Sequence, residues 1–155
     1  MNLLNRLMGM GGEKSDAKKE EIRSIFNDKV ENGESYAVLV AMNVVVEKKL
    51  LKEVRIFYNY IIGYKDGDDP ELVIISTDNQ LSEFEEPVIC KKSECLEAKY
   101  LEKTGSFTVT HPDLGSEPVD FAIIGSTAWG GEFIKVSYIE ECIPFMEFYQ
   151  TRFAK

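Results

Sequence analysis

Few residues of this chain are of a type that does chemistry. His111 is the only histidine, and Cys90, Cys95 and Cys142 are the only thiols. Any thiol–imidazole dyad or Cys–Cys–His metal set must be drawn from these four residues. Their spacing argues against both. Cys90 and Cys95 do not form a CxxC pair, and a fourth metal ligand has no candidate. His111 precedes Pro112 at the end of an alternating segment, where a structural role suffices. The run Asp66, Asp68, Asp69, Glu71 has the look of half a calcium loop. Thr77 stands where the closing glutamate belongs, and Pro70 stiffens the backbone where ligands would converge. Gly125-Ser-Thr-Ala-Trp-Gly-Gly131 lacks the GK[ST] ending of a phosphate loop and joins strand to strand. No catalytic residue, metal or cofactor is assigned. An enzyme built on His111 and a cysteine, or on carboxylates, is carried only as a third alternative.

Binding chemistry has better footholds. Glu47-Lys48-Lys49-Leu50-Leu51-Lys52-Glu53, followed by Arg55, sets cations around two leucines between two strand-like segments. Lys48, Lys49, Lys52 and Arg55 are the candidate ligand-binding residues, since ammonium and guanidinium groups meet phosphate while leucines enter a leaflet. Leu50, Leu51 and Trp129 are the candidate partner contacts, because large apolar side chains anchor interfaces. Opposed to this patch, residues 66–86 hold eight acidic residues and no basic one. Such a surface steers a basic protein toward it.

These residues need a scaffold. The chain has 155 residues, a size at which one domain buries a self-supporting core. Net charge is −9, which opposes nucleic acid and, on average, an anionic membrane. Three cysteines without a pairing pattern fit a reducing compartment, so a cytoplasmic location is expected. The segment with Leu3, Leu4, Leu7 and Met8 is too short and too interrupted for a signal peptide. Residues 1–14 are expected to be a flexible lead, and 15–155 a single domain.

Ile22, Ile25, Phe26 and Val30 line one face of a helix expected over 16–31, with Asp16 as its cap and Asn32-Gly33 as its stop. Tyr36–Val46 is continuously apolar and β-branched. From Val54 to Tyr64 the apolar residues alternate with period two. Further strands are expected at 72–77, 87–90, 96–102, 107–111, 119–124 and 132–139. Pro144 marks the first turn of a closing helix in which Phe145, Tyr149 and Phe153 recur every fourth residue. Glu140 and Glu141 ahead of it complement the helix dipole. The class is α+β: mainly an antiparallel barrel or strongly curved sheet, with an N-terminal helix and a C-terminal capping helix.

This layout resembles the bacterial pleckstrin-homology-like domains and the related GRAM domains. The resemblance is carried by Val88-Ile-Cys-Lys-Lys-Ser-Glu-Cys-Leu-Glu-Ala-Lys-Tyr100, Gly105-Ser-Phe-Thr-Val-Thr-His111 and Val119-Asp-Phe-Ala-Ile-Ile124. It implies a non-enzymatic interaction module that binds a protein or, peripherally, a lipid head group, with the loop between the first two strands as its contact. Among the partners so implied, an unknown protein comes first. The acidic stretch 66–86 departs from the pattern and supports an alternative, a small acidic inhibitor or immunity-type protein that caps a basic partner. The oligomeric state is not legible.

Overall fold

The structure, a computed structural model, describes residues 12–125 and 134–155. The first eleven residues, with Leu3, Leu4, Leu7 and Met8, lie outside the described residues, as does Trp129.

The first helix, α1 (Gly12–Lys29), begins before the expected Asp16, which is therefore inside the helix and not its cap. Asn32, at φ 56°, supplies the left-handed residue that turns the chain out of the helix. Seven antiparallel strands follow: β1 (Ala37–Lys49), β2 (Lys52–Lys65), β3 (Glu71–Thr77), β4 (Val88–Lys91), β5 (Glu97–Leu101), β6 (Ser106–Thr110) and β7 (Val119–Ile123). They form one curled sheet in the order β4-β3-β2-β1-β7-β6-β5. The junction is narrow: β1 meets β7 only at Ala41–Ile123 and Met42–Ala122. The sheet can bend sharply there, because few ladder bonds resist it.

Both faces are covered over the sheet's centre, which is why Leu39–Met42 is apolar without alternation. On one face, Phe26 of α1 lies against Gly63 of β2 so closely that a Cβ there would fall 2.2 Å from the ring. On the other, α2 (Ile139–Phe148) and a π-helical turn (Tyr149–Phe153) fill the hollow of the curl. Phe145, Tyr149 and Phe153 are fully buried, as their four-residue spacing predicts. Phe145 and Tyr149 meet Phe107 edge-on at 4.9 Å, and the Tyr149 hydroxyl donates to the Thr108 carbonyl of β6. The α+β class and the closing aromatic helix are as expected.

Two boundaries differ. The strand expected over 132–139 does not form in its described part: residues 134–138 are extended without a ladder. Ile134, Val136 and Tyr138 alternate inward, but the backbone is tied elsewhere, with Ser137 N–H donating to Ser15 Oγ and Tyr138 N–H to the Ile124 carbonyl. Alternating burial reports a covered face, not a paired neighbour. The last helix also starts at Ile139, so Pro144 lies inside it and Glu140 and Glu141 form its first turn. Their charge still suits the helix N-terminus, and Glu141 pairs with Lys19 of α1 at 2.7 Å.

Candidate interaction site

The first two strands are far longer than the sheet needs. β1 and β2 pair with each other from Ala37–Tyr64 out to Lys49–Lys52. β2 meets β3 only from Asn59 onward. Among the described residues, then, Asn43–Lys49 and Lys52–Tyr58 pair only with each other. They form a two-stranded arm that, at about 3.3 Å per residue, stands roughly 20 Å beyond the sheet.

The loop expected over 47–53 shrinks to Leu50 and Leu51 alone, and its charged residues belong to the strands. Leu50 is 100% and Leu51 96% exposed. Local rules are broken here. Two-residue hairpin turns favour glycine, asparagine or aspartate at positive φ, yet neither leucine has a positive φ. Lys49 sits directly opposite Lys52, a like-charge pairing that costs stability. A tip that disregards both turn chemistry and cross-strand charge is shaped by something other than folding.

The register also sorts the four candidate cations. Lys49 and Lys52 share one face with Val45, Val54 and Ile56; Lys48 and Arg55 share the other with Val46 and Glu53. They do not converge on one pocket. They ring the tip, two per face, with Val45 and Val46 exposed behind them. This geometry suits a broad anionic surface better than a single enclosed phosphate.

At the foot of the arm lies a cleft of about 610 Å³. Tyr58 and Tyr60 of β2 form one wall, and the segment linking β3 to β4 brings Phe84, Glu85 and Glu86. Asp113 and Val119 close it from the far arm of the curl. No described Lys, Arg or His lines it. Burial pushes the Tyr60 hydroxyl up to about 12, with Tyr58, Asp120 and Glu85 adding to the effect. Sequence reasoning missed this cleft. Its one legible signal was the pairing of an aromatic period-two strand with an uncompensated acidic segment.

The acidic run is partly spent on the fold. Arg152 binds Asp66 at 2.9 Å, and that bond holds the carboxyl below its usual range. Asp69 accepts from Ser93, and Asp78 from Ser82, which holds Asp78 at about 2. Glu71 pairs with Lys65. Glu83, Glu85 and Glu86 remain exposed and, among the described residues, form no ion pair.

His111 is buried, and its Nδ1 accepts from the Asp113 N–H, starting the short turn Pro112–Leu114. That bond commits the imidazole to local structure. The three thiols are free and buried. A hydrogen bond to Cys95, together with burial, pushes the Cys90 thiol up, and burial alone raises Cys142. Neither environment makes a reactive thiolate. Among the described residues no cluster of three His, Cys, Asp or Glu is set to hold a metal ion, and no helix is long and apolar enough to cross a membrane.

Fold and site together define an α+β domain with a curled seven-stranded sheet, a projecting basic–apolar arm and an acidic cleft at its foot. Comparison with protein-family models, curated proteins and solved structures finds no match to this chain.

Proposed function

We propose that this chain is a non-enzymatic interaction module of pleckstrin-homology-like architecture that docks on an anionic lipid surface through the β1–β2 arm. The curled sheet with its closing helix supports the architectural part. One observation carries the functional part: Leu50 and Leu51 stand almost wholly in solvent at a two-residue turn ringed by Lys48, Lys49, Lys52 and Arg55. Insertion of the leucines would bury apolar area that folding leaves wet. The cations would then sit at the depth of the head groups, each worth about 1 kcal/mol near an anionic surface. The free thiols support a cytoplasmic setting, where the inner leaflet is anionic.

Vesicle flotation tests this. The wild-type chain is expected to float with vesicles containing phosphatidylserine and to stay behind with neutral ones. The Lys48/Lys49/Lys52→Ala variant is expected to bind roughly a hundredfold more weakly, from three such contributions. Equal flotation of the two proteins ends the proposal.

A second reading rests on a different observation. The acidic cleft, with Glu83, Glu85 and Glu86 unpaired among the described residues, favours a module that caps a basic protein. A captured partner whose binding is indifferent to salt would count against it.

A further inference from the structure

The arm and the cleft are complementary, and the fold places them where two copies can use both at once. The arm carries four cations against two carboxylates, a net charge of +2, on a chain whose total is −9. The cleft offers aromatic walls from Tyr58, Tyr60 and Phe84 with Glu85 and Glu86 at its rim. An apolar tip ringed by cations and an apolar cleft rimmed by carboxylates match in both respects. The tip cannot enter the cleft of its own chain, because the cleft is built on the strand that carries the tip away.

We propose that two copies associate about a two-fold axis, each seating its Leu50–Leu51 tip in the cleft at the foot of the other's arm. The edge of β2 from Lys52 to Tyr58 is unpaired among the described residues, and it flanks the cleft. Two such edges laid antiparallel about an axis at Arg55 set Leu51 of one copy opposite Asn59 of the other. Lys52 then falls opposite Tyr58, and Leu50 reaches the level of Tyr60. The arm's length is thus the distance from tip to cleft. Because the same patch serves both copies, the contact is closed and does not propagate into a filament. It also covers two strand edges and two leucines that would otherwise invite unspecific association.

The inference rests on the arm as the contact element, as the proposed function does, but not on what that contact is in the cell. Tip-in-cleft and tip-in-membrane exclude each other, so the pair is the sheathed form of the same device. Anionic vesicles are expected to dissociate it.

Sedimentation velocity at low salt, over a range of protein concentrations, tests the pair. The wild-type chain is expected to dimerise and to lose the dimer as salt rises. Leu50→Asp/Leu51→Asp is expected to weaken it by roughly tenfold per leucine, the value of one buried apolar side chain. A charge swap supplies the decisive arm. Lys48→Glu/Lys49→Glu/Lys52→Glu and Glu83→Lys/Glu85→Lys/Glu86→Lys are each expected to be monomeric alone. Mixed, they regain one arm-and-cleft contact of restored sign and should form a heterodimer. Arg55 meets its own counterpart at the axis, so Arg55→Gln is expected to tighten the dimer roughly two- to fivefold, while weakening vesicle binding. A wild-type chain that stays monomeric, a dimer indifferent to the tip, or swap variants that ignore each other would overturn the inference. Vesicle binding that persists alongside any of these results leaves the membrane reading standing, and loss of vesicle binding with the dimer intact would do the reverse.

Discussion

Replacing Leu50 and Leu51 by aspartate separates what the tip does from what the fold needs. Both side chains are essentially fully exposed, so folding removes almost none of their area from water. The double variant should therefore fold with the wild-type stability to within about 0.5 kcal/mol, the range of ordinary surface substitutions. Binding is another matter. Full burial of a leucine contributes about 1.5–3 kcal/mol, so two of them bring about 3–6 kcal/mol to membrane docking. The lysines on the flanking strands add about 3 kcal/mol more. Removing the apolar share should weaken binding to phosphatidylserine vesicles by roughly two to four orders of magnitude. The new carboxylates deepen the loss, since they sit where the lipid charge is.

The assay is paired. Urea unfolding is followed at a protein concentration low enough for a monomer, so that association does not inflate the apparent stability. Flotation or sedimentation with anionic vesicles then gives the binding change. Unchanged vesicle binding refutes the insertion argument. A loss of more than about 1 kcal/mol in folding stability refutes the placement of the tip, because it would mean the leucines are packed on something.

Two further outcomes test the scaffold. Gly63→Ala should cost about 1–3 kcal/mol or more by overpacking, since the added Cβ would lie 2.2 Å from Cζ of Phe26; recovery in Gly63→Ala/Phe26→Leu would confirm the clash, and a neutral single variant in thermal unfolding would deny it. Tyr60 holds its proton in the folded state up to about 12 against 10 in the unfolded chain, so its contribution is complete below pH 10 and is lost as pH rises from there to 12. After discounting for its partial exposure this loss is on the order of 1–2 kcal/mol, and Tyr60→Phe should flatten the alkaline limb of the stability curve; an identical limb in the variant would refute the assignment.

Much of this architecture was readable because its cause is periodic. Ile22, Phe26 and Val30 repeat at helical spacing and are buried; Phe145, Tyr149 and Phe153 do the same at the other end. The strands of the sheet announce themselves by β-branched runs and turns. What failed to show was pairing. Ile134, Val136 and Tyr138 alternate like a strand, yet their backbone bonds go to Ser15 and Ile124, partners distant in sequence. The apolar run of β1 misled in the opposite sense. Leu39–Met42 is buried on both faces, but Val45 and Val46, no less apolar, stand exposed on the arm. A local pattern records that side chains are apolar, and only the ladder decides whether anything covers them. The cleft escaped notice for a similar reason. Tyr58 and Tyr60 are adjacent in alternation to core residues, while Asp113 and Val119 reach them only because the sheet curls.

The arm also resolves an apparent contradiction in the charge. A chain of net charge −9 should be repelled by an anionic leaflet, and by a second copy of itself. Yet the arm holds +2 of its own, leaving −11 on the remainder. In cytosolic salt the field of an exposed charge decays over about 8 Å, and the tip stands roughly 20 Å from the sheet. More than two screening lengths therefore separate the cations of the tip from most of the acidic body. A leaflet touched by the tip feels the cations and little else. The leaflet is shallow compared with the arm, so the body need not approach it. The second copy, by contrast, meets both ends at once: its cleft receives the cations, and the antiparallel arms keep the two acidic bodies at opposite ends of the ribbon. A short loop with the same residues would place its lysines within a screening length of Glu85 and Glu86, and the acidic body would cancel them. The extra length of β1 and β2 is what allows a basic contact to exist on an acidic protein.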